Sequence, residues 1–541
     1  MRLLRSCILV LSLRLLTASV KPRVVVVGGG VGGLFAAAKL AKLGHDVTLC
    51  EQNSVCGGRL GSEYLLDGSY RFDIGPSLML LPNVYRDAFQ QLDEDLENHV
   101  GTLEIHDPQY RVFFEDNPSF GVDICRDERK MEASFELLVK GSGSLLFECY
   151  KSYLKVAGGF LDFGWPAVIE ERLFAPDSLL RLPSFLSSSL TTFPLVSHVS
   201  MLREFFGPSG ISEKDLAKVI ALLSFQNLYI GLSPSDTPAV FSLLQALEFE
   251  KGIFYPKCGF AGIANALTSI STKLGVKIRT NCRVKGLVQL SDGTVRLETE
   301  RDGEIVSDRV ILNVDLPEAE ETLVDETSRD TVGELRPSCA IVQLHFALSK
   351  KLDALAHHSL FLSSAPEKQS WATIHSPNSA SWDPTAFNFY VHAPSRTDPT
   401  CCPLGHDALT ILVPVPPLTV RSSSKRRPST EEQAELVSRV RNAVLKRLEP
   451  ACGEDISAFL VAERSREALS WNAAYGLFRG QAFGLSHNLR QLSLLRPGII
   501  HPKLSSVFRA GASTRPGNGV PLCLVSGRLA AEAVQASLGP R

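Results

Sequence analysis

The chain has 541 residues, 44% hydrophobic and 21% charged, with a formal net charge of −2 at pH 7. That length exceeds what one hydrophobic core organises, so two or three interleaved domains are expected. The balanced charge gives no electrostatic footprint for nucleic acid. The twelve cysteines show no CxxC or Cys/His ligand spacing and read as buried free thiols, with no metal site expected.

Residues 1–20, MRLLRSCILVLSLRLLTASV, combine arginines with an apolar run, and no acidic residue precedes Asp46. The segment reads as targeting or signal-like, or as a membrane-contacting helix, and Arg14 makes it a poor spanning helix. Next comes Arg23–Val27, a continuous β-branched run of the kind found in a central parallel strand buried on both faces. It runs into Gly28-Gly29-Gly30-Val31-Gly32-Gly33, then a helical pattern closed by Gly44, then a second strand ending at Glu51. This is a dinucleotide fingerprint in register. Gly28 makes the tight turn, Gly30 lets the backbone approach pyrophosphate, and Gly33 allows close helix–strand packing. The helix N-terminus meets the phosphates, and Glu51 accepts from the ribose hydroxyls.

FAD rather than NAD follows from two further features. Gly57-Gly58-Arg59 places a second glycine pair and a cation beyond Glu51. Near the C-terminus, Arg509–Pro521 forms another glycine-rich turn before a helical stretch, Val525–Ala536. In it Gly511, Ala512, Ser513, Gly519, Val520 and Pro521 present backbone groups suited to the flavin and ribityl–phosphate region. Two chain ends closing on one ligand imply a substrate domain inserted between them.

Several stretches carry a specific resemblance. They are GGRLGSEYLLDGSYRFDIGPSLMLLP (57–82), YRVFFEDN (110–117), TPAVFSLLQALEFEKGIFYPKCGFAGIANAL (237–267), NCRVKGL (281–287), LAHHSLFLS (355–363), FYVHAPSRTDPTCCPLGHDALTILVPVP (389–416), YGLFRGQAFGLSHNLRQLSLLRP (475–497) and GASTRPGNGVP (511–521). The sequence resembles the bacterial- and fungal-type phytoene desaturase family, within the amine-oxidase-like FAD superfamily.

The fold this implies is α/β. A discontinuous Rossmann-like FAD-binding domain with the GxGxxG turn carries an inserted mixed α+β substrate domain and a helical membrane-proximal cap. The expected boundaries are 22–115, 246–325 and 471–541 for the FAD-binding domain. A helical cap over 116–245 and a substrate domain over 326–470, with a basic loop at 419–432, complete it. The resemblance adds Gly75 and Pro76 of the FDIGP turn, and the backbone of Val284 beside the adenine, to the cofactor site.

It also implies desaturation of a long isoprenoid polyene such as a carotenoid, peripheral membrane association, and quinone or oxygen as electron acceptor. The alternative within the family is cis/trans isomerisation, or hydration, without net redox change. The expected location is an organelle membrane surface, a plastid one if the source is photosynthetic. A secretory-type N-terminal segment is the other reading.

Two positions depart from the family pattern. Ser77 stands where relatives commonly have threonine, and Arg515 where the desaturases commonly have histidine. Arg515 is the candidate for stabilising anionic reduced flavin. Among carboxylates, Asp73 is the first candidate for the base, with Glu115 and Asp116 behind it; the bland role for Asp73 is a turn acid bonded to backbone N–H groups.

The segment 179–206, with Phe185, Phe193, Phe205 and Phe206, reads equally as a lid dipping into a membrane or as a buried helical cap. His357, His358, His392 and His406 match no ligand spacing, and a structural or substrate-gating role is expected.

Overall fold

The computed structural model describes residues 21–170, 195–330, 335–375, 382–418 and 428–539. The targeting-like segment, Phe185 and Phe193 of the lid, and most of the basic loop lie outside the described residues.

The run Arg23–Val27 is the middle strand of a five-stranded parallel sheet, ordered 507–509, 309–312, 23–27, 46–50, 277–279. Alternation explains why Val24 to Val27 are all apolar. Val24 and Val26 face a core built around the helix Val31–Lys42, while Val25 and Val27 face a second core beneath the three-stranded sheet 284–289, 295–299, 304–307. The helix Val31–Lys42 packs against the C-terminal helix Val520–Ser537, where a Cβ on Gly527 would lie 2.3 Å from the Gly32 carbonyl oxygen. The expected return of the chain's end to its beginning is therefore a direct helix–helix contact.

A second, seven-stranded sheet runs in the order 460–466, 340–348, 407–415, 389–392, 358–362, 110–114, 117–124. All its pairings are antiparallel except 358–362 with 110–114. Helices Glu128–Leu138, Gly143–Gly164, His198–Phe206, Glu213–Ser224 and Leu243–Lys251 form a helical layer over one face of it. Phe206 is fully buried there and Phe205 packs at its edge, so the described part of the lid is cap core.

Three boundaries move. Tyr110–Phe114 pairs in the seven-stranded sheet, so the first FAD-binding segment ends before Tyr110 rather than at 115. The helix Leu243–Lys251 belongs to the cap, so the second segment starts after it rather than at 246. The basic loop ends before Thr430 rather than at 432. Ser429 caps a helix spanning Thr430–Cys452: its hydroxyl accepts from the Glu432 N–H while the Glu432 carboxylate accepts from the Ser429 N–H. Among the described residues, no helix is long and apolar enough to cross a membrane.

Candidate active site

A cavity of about 660 Å³ opens between the two sheets, within the range of roughly 300–1,000 Å³ usual for cofactor and ligand sites. One end is built by glycine turns brought side by side. Gly57 donates its N–H to the Gly29 carbonyl at 2.8 Å, and Gly30 and Gly57 form an isolated parallel bridge. Gly28 has φ +97°, Gly57 +121° and Gly511 +113°, backbone geometry that side chains rarely adopt.

Asn313 fastens these turns together. Its Nδ2 donates to the Gly28 carbonyl at 3.1 Å, and its side chain stands 2.9–3.0 Å from where Cβ atoms on Gly30, Gly32 and Gly33 would be. Glu51 accepts from the N–H groups of Gly29 and Asn53, both at 2.8 Å.

Of the residues expected at the cofactor, Gly28, Gly30, Glu51, Gly57, Gly58 and Arg59 line this cavity. So do Gly75, Pro76, Val284, Gly511, Ala512, Gly519 and Val520. Gly33 does not; a Cβ there would sit 2.2 Å from the Gly28 carbonyl oxygen, so it serves helix–strand packing, as expected of the third glycine. Ser513 does not line the cavity but donates to Asp315, which does, and Pro521 belongs to the first turn of the C-terminal helix. A Cβ would crowd the cradle at Gly28, Gly30 and Gly57, and an acid ends the second strand, so these residues fit the pyrophosphate and ribose of FAD.

The catalytic candidates fare differently. Asp73 is buried outside the cavity wall, accepting from the Tyr255 hydroxyl at 2.5 Å and from the Phe260 N–H at 3.1 Å. Burial pushes its carboxyl up to about 6, against the opposing pull of Tyr255 and Arg71. Strand alternation over Tyr70–Asp73 turns this side chain away, and Ile74 through Leu78 form the wall instead.

Arg515 is also absent from the wall: its guanidinium lies against Gly498, 2.3 Å from where a Cβ there would stand. Neither group is placed to touch a molecule in the cavity. Glu115 accepts from Ser363, and Asp116 pairs with Lys218 at 2.9 Å, both away from it.

Other groups complete the wall. Asp315 lines the cavity and accepts from the Phe478 N–H at 2.9 Å, from Gln481 and from Ser513; burial raises its pKa. Across from the glycine turns the wall is apolar and aromatic, with Leu228, Ile341, Leu412, Pro414, Trp471 and Phe483. Tyr229, Tyr390, Ser77 and Asn518 also line it.

The histidines come together in space. His357 and His392 meet Nε2 to Nε2 at 2.9 Å, and His358 Nε2 lies 2.9 Å from Nδ1 of His106, a residue the sequence did not single out. His358 Nδ1 contacts the Tyr390 hydroxyl at 2.6 Å, which in turn donates to Ser77. Ligand atoms of His106, His357 and His358 lie within 4.8 Å of one another. Burial lowers the pKa of all four rings, which keeps them neutral. His406 stands apart, bonded to Tyr70.

Known proteins resemble this chain along most of its length. The family model described as flavin-containing amine oxidoreductase matches residues 31–535. A phytoene desaturase of Fusarium fujikuroi is 30% identical, covering 96% of this chain and 90% of its own. The zeta-carotene-forming phytoene desaturase of Myxococcus xanthus is 32% identical, over 94% and 93%. Among solved structures, an oxidoreductase from Methanosarcina mazei superposes with a TM-score of 0.56 at 18% identity, over 94% of this chain and all of that one.

Proposed function

The chain belongs to the flavin-containing amine oxidoreductase family, and from that premise we propose that it desaturates a long acyclic carotenoid-type polyene. It is an FAD-dependent oxidoreductase, with FAD held by the glycine turns at 28–33, 57–58 and 511–519. The observation that carries the substrate reading is the continuity of the cavity: one space runs from those turns to the apolar wall of Leu228, Ile341, Leu412 and Trp471. Apolar walls suit a hydrocarbon with no polar handle, and the named desaturases aligned along almost the whole chain support the same class.

Bound FAD supplies a two-electron acceptor able to take a hydride from carbon. The protein's own contribution is placement and dryness. The apolar wall holds one bond of the polyene in register and keeps water from a carbocation that it would otherwise trap. The reading extends to a polyene reached at an organelle membrane surface, supported by the arginine-bearing apolar segment 1–20, and to quinone or oxygen as final acceptor.

The test is product mass. Expressed in cells that accumulate defined acyclic carotenoid intermediates, the protein should yield pigments lighter by two hydrogens per bond. A product of unchanged mass would replace this reading with isomerisation, and a gain of water with hydration.

A further inference from the structure

Removing a hydride from a polyene is half of a desaturation; the cation left behind must also lose a proton. Neither Asp73 nor Arg515 is placed to receive it. We propose that Tyr229, Tyr110 and Glu248 form a proton relay out of the cavity, with the Glu248 carboxylate as terminal acceptor. This rests on the desaturase reading and gives that reaction its base.

Tyr229 belongs to the cavity wall, and its backbone carbonyl accepts from Asn518, a residue of the C-terminal glycine turn, at 2.6 Å. Its hydroxyl lies 3.2 Å from that of Tyr110. Tyr110 donates to Glu248 Oε1 at 2.9 Å, and Gln226 donates to Oε2 at 3.0 Å. Glu248 is 3% exposed and Tyr110 fully buried, neither lines the cavity, and the two hydroxyls connect the carboxylate to the wall residue Tyr229.

The direction of these bonds suits outward transfer. Since Tyr110 spends its proton on Glu248, the Tyr229 hydroxyl donates to Tyr110 and keeps lone pairs with which to accept a proton in turn.

The step balances. After hydride loss, the C–H bond next to the cationic carbon breaks and its electron pair becomes the new double bond. That proton passes to the Tyr229 oxygen, the Tyr229 proton to Tyr110, and the Tyr110 proton to Glu248. Both tyrosines end as they began and one carboxylate becomes a carboxylic acid. Around Glu248 the titratable groups are the hydroxyls of Tyr110, Tyr229, Tyr150 and Tyr153, all raised by burial and hence neutral. Burial raises the carboxyl itself to about 7, so near neutrality it can both take and release a proton.

Three variants of the FAD-loaded protein test this: Glu248→Gln, Tyr229→Phe and Tyr110→Phe. Each should lower kcat about 100-fold while leaving KM and flavin content unchanged. In the parent, kcat should rise as pH passes upward through about 7 and Glu248 ionises; Glu248→Gln should flatten that limb. Infrared titration of the flavin-free protein gives a readout independent of turnover. A carboxylic-acid carbonyl band should vanish as pH rises through the same range and be missing from Glu248→Gln.

Parent-like kcat and pH profile in Tyr229→Phe would overturn the relay, as would an effect confined to KM or flavin content. If Glu248→Gln does not fold, Tyr229→Phe, at the cavity wall, decides. A parent protein that binds FAD but removes no hydrogen from any polyene overturns the desaturase reading and the relay with it. Desaturation unaffected by all three variants removes the relay alone.

Discussion

Arg496 shows how much one side chain can hold at this site. Almost fully buried, it donates to the carbonyl oxygens of Leu485, Ser486, Gln491, Ala512 and Thr514 at 2.6–3.4 Å. Ala512 lines the cavity and Thr514 sits two residues on, so Arg496 ties the C-terminal turn to the segment 485–491. Burial lowers its pKa to about 10, which still leaves it charged at neutral pH. Replacing it with alanine strands several buried carbonyls at once, each worth roughly 1–3 kcal/mol when unpaired. Arg496→Ala should therefore lower stability by at least ~3 kcal/mol and release FAD more readily, read by denaturant unfolding and by flavin retained after gel filtration. Flavin retention equal to the parent would show that the turn does not depend on this anchor.

At the scale of elements, the contact between helices Val31–Lys42 and Val520–Ser537 decides whether the two chain ends share one cofactor. Gly527 rests on the Gly32 backbone and leaves no room for a Cβ. Gly527→Val should push the helices apart, costing about 1–3 kcal/mol, and carry Gly511 and Gly519 away from Gly28 and Gly30. The expected result is a lower unfolding midpoint together with weaker FAD binding; a lower midpoint with unchanged FAD affinity would uncouple packing from the site.

These elements were legible in sequence because their signals are local. A β-branched run, a glycine turn and an alternating acid at a strand end each lie within thirty residues. What was not legible depends on long-range proximity. Asn313 meets Gly28 across 285 positions and His106 meets His358 across 252, and Glu248 gains its meaning only from Tyr110, 138 positions away. Asp73 and Arg515 stand off the cavity wall for a related reason. Nearness to a cofactor turn along the chain does not say which way a side chain points, and both point elsewhere.

On the scale of the whole molecule, the cavity is the seam along which separate parts of the chain meet. Its walls come from both sheets and from three separated stretches of the FAD-binding domain, around residues 28–60, 282–315 and 510–523. A cofactor seated in such a seam touches all of these stretches at once, so cofactor and fold should be strongly linked. A ligand that binds only the folded state stabilises it by RT ln(1 + [L]/Kd), or about 2.7 kcal/mol at one hundred times Kd. FAD added to flavin-free protein should therefore raise the unfolding temperature steadily with the logarithm of its concentration. Gly30→Val, which drives a side chain against Asn313 and so displaces the turns it fastens, should abolish that rise. FMN, lacking the adenylate half that the Glu51 end is built for, should produce a much smaller one. Equal stabilisation by FMN and FAD would mean that the turn at 28–33 does not grip the pyrophosphate and ribose, which would undo the assignment at its base. A rise with FAD that survives in the Gly30 variant would move the phosphates to the turns at 57–58 and 511–519.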